Sequence, residues 1–441
     1  MRPHLLLARF AGARRPSGAP VDPGEIDPNA IIVAVNGDNA NAGTLASPIA
    51  SLPEAASRVT PGGTVYVRGG VYDTISGAGQ NVYHTENFAT CMRFSGTAEN
   101  PITVKSYPGE WAIFDGLNHP WHPRSFDDGN DPDFGAILIT VRGEHLVWED
   151  MEFRNAAGRG TYWLGHDITF RNLISHHHHS DGYYLRTHNA LMEFCDGYSN
   201  YSISNGGNSA DGCKSFHAAI LQDDHGLHVG NNTWRDCRFW HNSDDGLDTW
   251  NTRNNVAERV YSFANGHGPS TTGRAFKIGG ATVTHGGVVH PFSNINTLIT
   301  NCVGVGRGNF TTNDSTGVEF RNCTHYKAVD SQAYDLRSQY WADAEDGGNE
   351  AYNCVAYDYT GLAVSIGANA PVTHTNNSWN LEIGAASDFL SLDPASADYL
   401  ALSSDSAFRG VGVDGVDIGA FQFGSKFTRS TEMAETLPFW V

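Results

Sequence analysis

The feature that most constrains this chain is a short phrase that returns about every 30 residues. Its three clearest copies are Asp211-Gly212-Cys213-Lys214, Asp245-Gly246-Leu247-Asp248 and Arg274-Ala275-Phe276-Lys277, and a weaker copy upstream is Asp181-Gly182-Tyr183-Tyr184. The first residues of successive copies are 30, 34 and 29 positions apart. Such steps suit one coil of a parallel β-helix, with three short strands and one enlarged turn. The spacing therefore predicts an all-β solenoid.

Alternation within each copy predicts two columns on the surface of this solenoid. Along a strand, successive side chains point to opposite faces, so Cys213, Leu247 and Phe276 should point inward. The charged residues that follow them should form an outer column of Lys214, Asp248 and Lys277, beside a turn column of Asp211, Asp245 and Arg274. Acidic oxygens and lysine amines would then share one patch.

Composition supports a single elongated domain. The 441 residues include 49 glycines and only 17% charged residues, which favours many turns over long amphipathic helices. No Pro/Ser-rich linker interrupts the pattern. We therefore predict a β-helix domain over 29–425, preceded by a disordered tail or degraded signal segment at 1–28 and followed by a C-terminal tail at 426–441.

Local signals predict how the two ends of the solenoid are built. The segment 51–59 reads as a short helix with Ser51 as its N-cap, placed to cover the open end of the solenoid, and 62–70 reads as the first coil strand. Asparagine precedes cysteine at Cys302, Cys323 and Cys354, which predicts core cysteines without disulfides and amides that bond to neighbouring coils. The segment 416–421 is typical of a closing coil.

Charge and hydropathy exclude two classes of partner. A net charge of -20 disfavours nucleic-acid binding, and an anionic substrate would need a cation or local basic groups to offset the repulsion. No segment approaches the roughly 20 apolar residues of a membrane span. A monomer without nucleic-acid or membrane partners is expected.

The acidic residues predict a calcium site. Ca²⁺ takes six to eight oxygen ligands, and Asp211, Asp244, Asp245 and Asp248 provide carboxylates on one surface. Strict alternation sends Asp245 away from Asp244 and Asp248, so Asp245 joins them only if Gly246 bends the chain. For stacked copies of the phrase, we favour this interpretation over a plain Asp-Gly turn.

Lys277 is the predicted general base beside this cluster. A bound divalent cation would lower the affinity of its amine for a proton, making part of the population a usable base. Lys214 is predicted either to hold a substrate carboxylate or to pair with Asp248, and Arg274 is a second predicted substrate-binding residue.

The same residues carry a family resemblance. The segments 209–212, 242–248 and 265–266, together with Phe276-Lys277-Ile278-Gly279-Gly280, resemble the family 9 polysaccharide lyases, pectate lyases with a right-handed parallel β-helix fold. The core match spans about 208–313. The resemblance implies that Asp211, Asp244, Asp245 and Asp248 bind catalytic Ca²⁺ and that Lys277 is the base. It departs from the family at Cys213, Leu247 and Arg274-Ala275, which bears on substrate preference.

The resemblance implies a secreted enzyme that cleaves polygalacturonate or a related acidic polysaccharide by β-elimination. One alternative is a glycoside hydrolase of polygalacturonase type on the same fold, favoured by Asp244-Asp245, Gly266-His267-Gly268 and Arg274 to Lys277. Against it, Ala210 replaces threonine and His267 lies only seven residues before Arg274. A second alternative is a non-catalytic polysaccharide-binding β-helix.

Two further features have structural interpretations. The run of histidines at 176–179 is predicted to have a structural or exposed-turn role, because successive side chains alternate between faces. Tyr184 and Trp250 are candidates for stacking on sugar rings, and packing explains either of them equally well.

Overall fold

In a computed structural model of the protein, β-strands are the predominant regular secondary structure. The described residues are 26–73, 92–117, 137–202, 206–216, 229–268, 273–280, 282–285, 288–291, 294–313, 315–328, 332–336, 348–367, 372–394 and 396–426. The predicted signal or tail segment lies outside them up to residue 25, and so does the predicted C-terminal tail beyond Lys426.

The strands are short, apart from two that run through three sides of a coil. The first eleven are β1 (Ile31–Val33), β2 (Thr64–Val67), β3 (Gly70–Tyr72), β4 (Met92–Ser95), β5 (Ile102–Ser106), β6 (Ala112–Asp115), β7 (Ile139–Arg154), β8 (Thr161–His176), β9 (Tyr183–His188), β10 (Leu191–Glu193) and β11 (Asp196–Tyr198). The next ten are β12 (Cys213–Phe216), β13 (Thr233–Arg235), β14 (Arg238–Trp240), β15 (Leu247–Trp250), β16 (Val256–Glu258), β17 (Tyr261–Phe263), β18 (Phe276–Gly279), β19 (Thr282–His285), β20 (Val288–Pro291) and β21 (Asn294–Ile295). The last eleven are β22 (Leu298–Thr300), β23 (Val303–Val305), β24 (Phe310–Asn313), β25 (Ser315–Thr316), β26 (Glu319–Arg321), β27 (Thr324–Tyr326), β28 (Gln332–Leu336), β29 (Asn349–Tyr352), β30 (Val355–Tyr357), β31 (Leu362–Ile366) and β32 (Val372–Thr375). Two α-helices are α1 (Leu52–Arg58) and α2 (Ser378–Leu381).

Parallel pairing arranges these strands into three faces of a β-helix. Sheet 1 runs β1-β2-β5-β7-β8-β10-β13-β16-β22-β26-β29-β32. Sheet 2 runs β3-β6-β7-β8-β11-β14-β17-β23-β27-β30. Sheet 3 runs β4-β7-β8-β9-β12-β15-β18-β24-β28-β31. The all-β solenoid predicted from the repeat spacing is confirmed.

Like residues stack along the interior of the helix. The rings of Phe276, Phe310 and Tyr334 lie on successive coils, with centroid separations of 4.6 and 5.0 Å. The Asn242 amide accepts a hydrogen bond from Asn200 at 2.9 Å and donates one to Asn265 at 3.0 Å. Each inward asparagine thus satisfies its neighbour above and below, which buried amides require.

The end of the solenoid is capped as the sequence predicts, although its first strand lies earlier. Helix α1 begins after Ser51, whose hydroxyl accepts a hydrogen bond from the Glu54 amide, and Leu52 and Ala55 are fully buried in the core. The prediction that the first coil strand lies at 62–70 was wrong, because β1 precedes it and pairs with β2. Within the described residues, no helix is long and apolar enough to cross a membrane.

The cysteine prediction is confirmed, but two of the three asparagines that precede these cysteines donate to groups other than those predicted. The six cysteines within the described residues are buried and form no disulfide, and Cys91 lies outside them. Asn301 and Asn322 donate to the carbonyls of Ala420 and Asp417, not to neighbouring coils. Both asparagines have left-handed backbone angles, which turn their amides away from the core toward the C-terminal segment.

That C-terminal segment is not the predicted closing coil. Within 376–394 and 396–426 the chain forms α2 and two short 3₁₀ helices, but none of the strands β1 to β32. The segment lies across sheet 2, where Phe408, Ile418 and Phe421 pack with Tyr326 and Val303. It therefore covers the outer surface of the helix instead of extending it by another coil.

Candidate functional site

The repeated phrases occupy neighbouring coils of sheet 3 in the register predicted from the sequence. Cys213 pairs with Leu247 and Leu247 with Phe276, and these three side chains are fully buried in the core. Lys214, Asp248 and Lys277 follow them in the same register and point to the opposite side. Both predicted columns are therefore present on the outer side of sheet 3.

The turn column is a ladder in which each carboxylate binds the backbone of the next coil. The Oδ1 atom of Asp181 accepts the amide N–H of Asp211 at 3.2 Å, and Oδ1 of Asp211 accepts that of Asp245 at 2.8 Å. The Oδ1 atom of Asp245 in turn accepts the amide of Arg274 at 2.5 Å. With Oδ1 fixed in this way, the Oδ2 atoms of Asp211 and Asp245 contact Lys214 and Lys277 of the outer column.

Gly246 allows Asp245 to reach the outer column. A Cβ atom at position 246 would lie 1.9 Å from Oγ of Ser262 and 2.8 Å from the carbonyl oxygen of Ala275. The chain can therefore enter β15 closely packed against the next coil only with glycine at this position. Strict alternation would have separated Asp245 from Asp248, yet both contact Lys277.

Two lysines link three of the four predicted aspartates into one cluster. Lys214 Nζ lies 3.1 Å from Oδ2 of Asp211 and 3.0 Å from Oδ2 of Asp248. Lys277 Nζ lies 2.8 Å from Oδ2 of Asp245 and 3.3 Å from Oδ2 of Asp248. Asp248 therefore bridges the two ammonium groups. Together with Asp244, the cluster has four carboxylates and two ammonium groups, a formal charge of 2 − 4 = −2 when all are ionised.

The cluster is more enclosed than an outward column suggests, and this changes its acid–base properties. Asp211 and Asp248 are fully buried, and Asp245 is 1% exposed. Burial raises the pKa of Asp245 to about 7, with a further contribution from Asp244. Burial also opposes ionisation of Asp248, but Lys214 and Lys277 outweigh it and hold the pKa of Asp248 below its usual value.

The same charges hold Lys277 in its protonated form when no cation is bound. Burial lowers the pKa of its ammonium group, but the carboxylates of Asp245 and Asp248 outweigh burial and raise that pKa above its usual value. The pKa of Lys214 is also raised, because the carboxylates of Asp211 and Asp248 outweigh the effect of burial. Proton acceptance by Lys277 therefore requires that its carboxylate partners be drawn elsewhere.

The donor set fits a hard divalent cation such as Ca²⁺. Asp211, Asp244 and Asp245 each offer a carboxylate oxygen, and these oxygens lie within 4.8 Å of one another. Asp248 is held by the two lysines and lies outside that group of three. Its Oδ1 atom is nevertheless buried and has no hydrogen-bond partner among the described residues. Three convergent carboxylates, in a cluster that also has a buried oxygen without a hydrogen-bond partner, are a donor set that suits an oxygen-ligated cation.

The two predicted substrate-binding residues lie at this cluster in different ways. The Lys214 ammonium is engaged by Asp211 and Asp248, so the pairing alternative is the one that the structure realises. Arg274 bonds through its backbone, with its amide to Asp245 and its carbonyl to Gly246, and its side chain is partly exposed. Substrate contacts of either side chain remain predictions.

Arg159 extends the ladder by one coil and was missed from the sequence. Its Nε atom lies 2.9 Å from Oδ2 of Asp181, both side chains are at most 1% exposed, and its guanidinium lies 4.0 Å from the ring centroid of Tyr184. The turn column is therefore three aspartates bounded by Arg159 and Arg274. The dipeptide Arg159-Gly160, 22 residues before Asp181, could have revealed this.

The aromatic candidates differ in exposure. Tyr184 is 3% exposed and stacks on Tyr162, so its role is packing. Trp250 is partly exposed on the outer side of β15, and its ring centroid lies 5.2 Å from Lys277 Nζ. Trp250 is thus the aromatic candidate that is available to a ligand at the cluster.

The histidine run is structural. His178 is fully buried, its Nδ1 accepts the amide N–H of Ala156 at 3.0 Å, and its Nε2 lies 3.0 Å from Oγ of Ser175. Burial, with the neighbouring histidines, lowers the pKa of His178 well below its usual value, so the ring is neutral. The structural interpretation is confirmed, and the exposed-turn alternative is wrong for His178.

The chain matches a protein-family model and is similar in sequence to two pectate lyases. A family model described as "Pel9A-like, right handed beta helix region" matches residues 31–363. Pectate lyase PEL9 of Emericella nidulans is 31% identical over 237 residues, 52% of this chain and 52% of that protein, so the chain spans about half the length of that curated relative. Pectate lyase L of Dickeya dadantii is 27% identical over 386 residues, 83% of this chain and 78% of that protein.

Two solved structures have the same architecture along nearly their whole length. The crystal structure of pectate lyase Pel9A aligns with a TM-score of 0.66 and 22% identity, covering 90% of this chain and 97% of that chain. A structure titled rhamnogalacturonan lyase aligns with a TM-score of 0.67 and 20% identity, covering 93% of this chain and 98% of that chain. These likenesses confirm the right-handed parallel β-helix.

Proposed function

The chain belongs to the family of Pel9A-like right-handed β-helix proteins, and on this premise we propose that it is a calcium-dependent lyase that cleaves pectate by β-elimination. The observation that carries the proposal is the contact of Lys277 with both Asp245 and Asp248, beside further carboxylates. The amine of Lys277 is thereby held beside carboxylates that suit a cation, and a base next to a cation is what removal of a proton adjacent to a uronate carboxylate needs.

We propose that Asp211, Asp244, Asp245 and Asp248 together hold the calcium ion. The formal charge of −2 at the cluster matches one divalent cation, and the buried Oδ1 of Asp248 would gain a partner. When bound, Ca²⁺ would neutralise the uronate carboxylate and acidify the neighbouring C5 proton.

Lys277 is the proposed base. Once Asp245 and Asp248 direct their oxygens to a cation, they stabilise the ammonium less, and its pKa falls toward the range in which a free amine is populated. Nζ then takes the C5 proton of the uronate, and the C5–H electron pair forms the C4=C5 double bond. The C4–O bond breaks, and its electrons leave with the oxygen of the 4-linked sugar, which takes a proton from water, while Lys277 releases its proton to solvent. The products are an unsaturated uronide and a shortened chain.

Substrate binding is proposed for the basic groups that border the cluster. Lys214 and Arg274 would receive uronate carboxylates, which offsets locally the repulsion expected from a net charge of -20. Trp250 offers a partly exposed ring next to Lys277, on which a sugar could stack. The proposed partner is an acidic polysaccharide. Because such a polymer is too large to enter a cell intact, we propose that the protein is secreted. We also propose that it acts as a monomer.

A hydrolase of polygalacturonase type is the second candidate, because Asp245 has the raised pKa of about 7 that a general acid needs. However, Oδ2 of Asp245 is engaged by Lys277, and its Oδ1 accepts the Arg274 amide. In addition, the amides of Gly266 and Gly268 donate to the carbonyls of Asn242 and Ser243 on the preceding coil, so His267 belongs to the same coil as Arg274.

One experiment separates these candidates. Purified protein is incubated with polygalacturonate, with and without a chelator, while ultraviolet absorbance of unsaturated uronide and the number of reducing ends are recorded. Lyase activity gives both signals, and the chelator removes both. Reducing ends without absorbance would establish the hydrolase. Binding without either product would support the non-catalytic β-helix.

A further inference from the structure

A second group of metal-ligating side chains lies on a different corner of the helix. His145 follows the sheet 3 part of β7, and His166 and Asp167 occupy the equivalent corner of β8. The Nδ1 atoms of His145 and His166 lie 3.8 and 2.7 Å from the same atom, Oδ2 of Asp167. From this convergence we infer that these three residues bind a divalent transition-metal ion of the zinc class. The inference does not depend on the proposed lyase activity.

The distances suit tetrahedral coordination. Zinc binds imidazole nitrogen and carboxylate oxygen at about 2.0–2.2 Å, so two ligands of one tetrahedral ion lie roughly 3.3 Å apart. The observed separations are 2.7 Å, a hydrogen bond between His166 and Asp167, and 3.8 Å, so small side-chain rotations would bring both to that value. Two imidazoles and one carboxylate are a common zinc-ligand set, and water would complete it. The side chains are 16–34% exposed, so an ion can enter from solvent.

The carboxylate is oriented by a neighbour from the next coil. Oδ1 of Asp167 accepts a hydrogen bond from the side-chain amide of Asn189, and Oδ2 is thereby directed to the two imidazoles. Ligands of bound metal ions are commonly held by such outer hydrogen bonds. Asn189 is therefore a positioning residue for the inferred site.

The residues at which the chain turns from sheet 3 to sheet 1 form a column along the helix. The residue types in this corner column differ between its first two levels and the levels that follow. Going along the helix, the left-handed corner residue is His145, then Asp167, then Asn189, Asn231 and Asn254, with φ between 48° and 55°. Asparagine is favoured in this conformation, and three successive coils use it. Only the first two of these five levels carry histidine and aspartate, both of which ligate metals. The backbone thus accepts asparagine at both levels, which supplies conservative test variants.

The ion would tie β7 to β8 without touching the aspartate cluster. His166 is in register with His188, four residues along β9 from Tyr184, which pairs with Lys214. Four residues span roughly 13 Å of strand, and the two coils from β8 to β12 add roughly 10 Å across the sheet. The two sites are therefore far enough apart to be filled and removed independently.

The test uses Co²⁺ as a spectroscopic probe and Zn²⁺ as competitor, on the full-length protein. After chelator treatment, the protein is saturated with Ca²⁺ to fill the aspartate cluster and then titrated with Co²⁺. We expect one equivalent to give the intense visible absorption of tetrahedral cobalt, Zn²⁺ to abolish it, and Zn²⁺ to raise Tm. Absence of that band in the folded protein would overturn the inference.

Three variants locate the ion. Loss of an outer partner of a metal ligand costs about 10–100-fold in affinity, so His145→Asn and Asp167→Asn, which remove ligands, should weaken Co²⁺ binding at least that much. Asn189→Gly keeps the left-handed corner and should weaken it about tenfold. Each should leave polygalacturonate cleavage unchanged. If His145→Asn and Asp167→Asn bind Co²⁺ like the parent, or if Asp245→Asn alone abolishes the band, the inference is wrong.

Discussion

Replacement of Lys277 gives the most direct test of the proposed chemistry. Lys277→Ala removes the proton acceptor but no oxygen ligand of the cluster, and general-base catalysis typically contributes about 10²–10⁴-fold. We therefore expect kcat to fall by about that factor, equivalent to about 3–5 kcal/mol of transition-state stabilisation. Calcium affinity should be retained or tightened, because the cluster loses a positive charge that competes with the ion.

A second substitution separates the base from its ionic contacts. Lys277→Arg preserves a positive charge for Asp245 and Asp248, but a guanidinium is protonated at all accessible pH values. The arginine variant should thus fold and bind calcium, yet be as inactive as the alanine variant. If Lys277 serves only to neutralise the carboxylates, arginine should restore activity.

The assay follows ultraviolet absorbance of the unsaturated product at saturating calcium and substrate, with thermal unfolding as the check on folding. Lys105→Ala is a matched control, because Lys105 is a partly exposed lysine on sheet 1, distant from sheet 3. A loss of kcat below about tenfold in folded Lys277→Ala would lie outside the range of general-base catalysis. It would refute the assignment and require another proton acceptor.

Three other predictions address the metal, the pH dependence and the fold. Asp245→Asn should raise the calcium concentration needed for half-maximal activity and lower activity while Tm is preserved; an unchanged calcium titration would remove Asp245 from the site. Because Asp245 and Asp248 raise the pKa of Lys277, and because Asp245 ionises only as the pH passes about 7, both calcium binding and the free amine increase with pH. The rate should therefore climb from about pH 7 toward roughly 9 or above, and a maximum near about pH 5 would favour the hydrolase instead. Gly246→Ala places Cβ against Ser262 and the Ala275 carbonyl, so urea unfolding should show a loss of about 1–3 kcal/mol or more, whereas Gly109→Asn, at an open left-handed position, should show little.

Repetition in the sequence determined the architecture and the register of the site. In a solenoid, equivalent positions of successive coils must stack, so a period of about 30 residues fixes which residues become neighbours along the helix. The pairing of Lys214 with Asp248 and of Asp248 with Lys277 follows from that period alone. The helix cap at Ser51 was equally predictable from the sequence, because a capping hydrogen bond depends only on local sequence.

Other features depended on contacts that carry no period, and only the tertiary structure decided them. The burial of Asp211 and Asp245, which raises the pKa of both carboxyl groups, results from how closely adjacent columns pack. The C-terminal segment crosses sheet 2 because apolar side chains there need cover, which no repeat encodes. The convergence of His145 with Asp167 joins two corners that differ from the rest of their column. Stacking fixes the neighbour in the next coil, whereas contacts between columns depend on side-chain packing that the sequence alone does not specify.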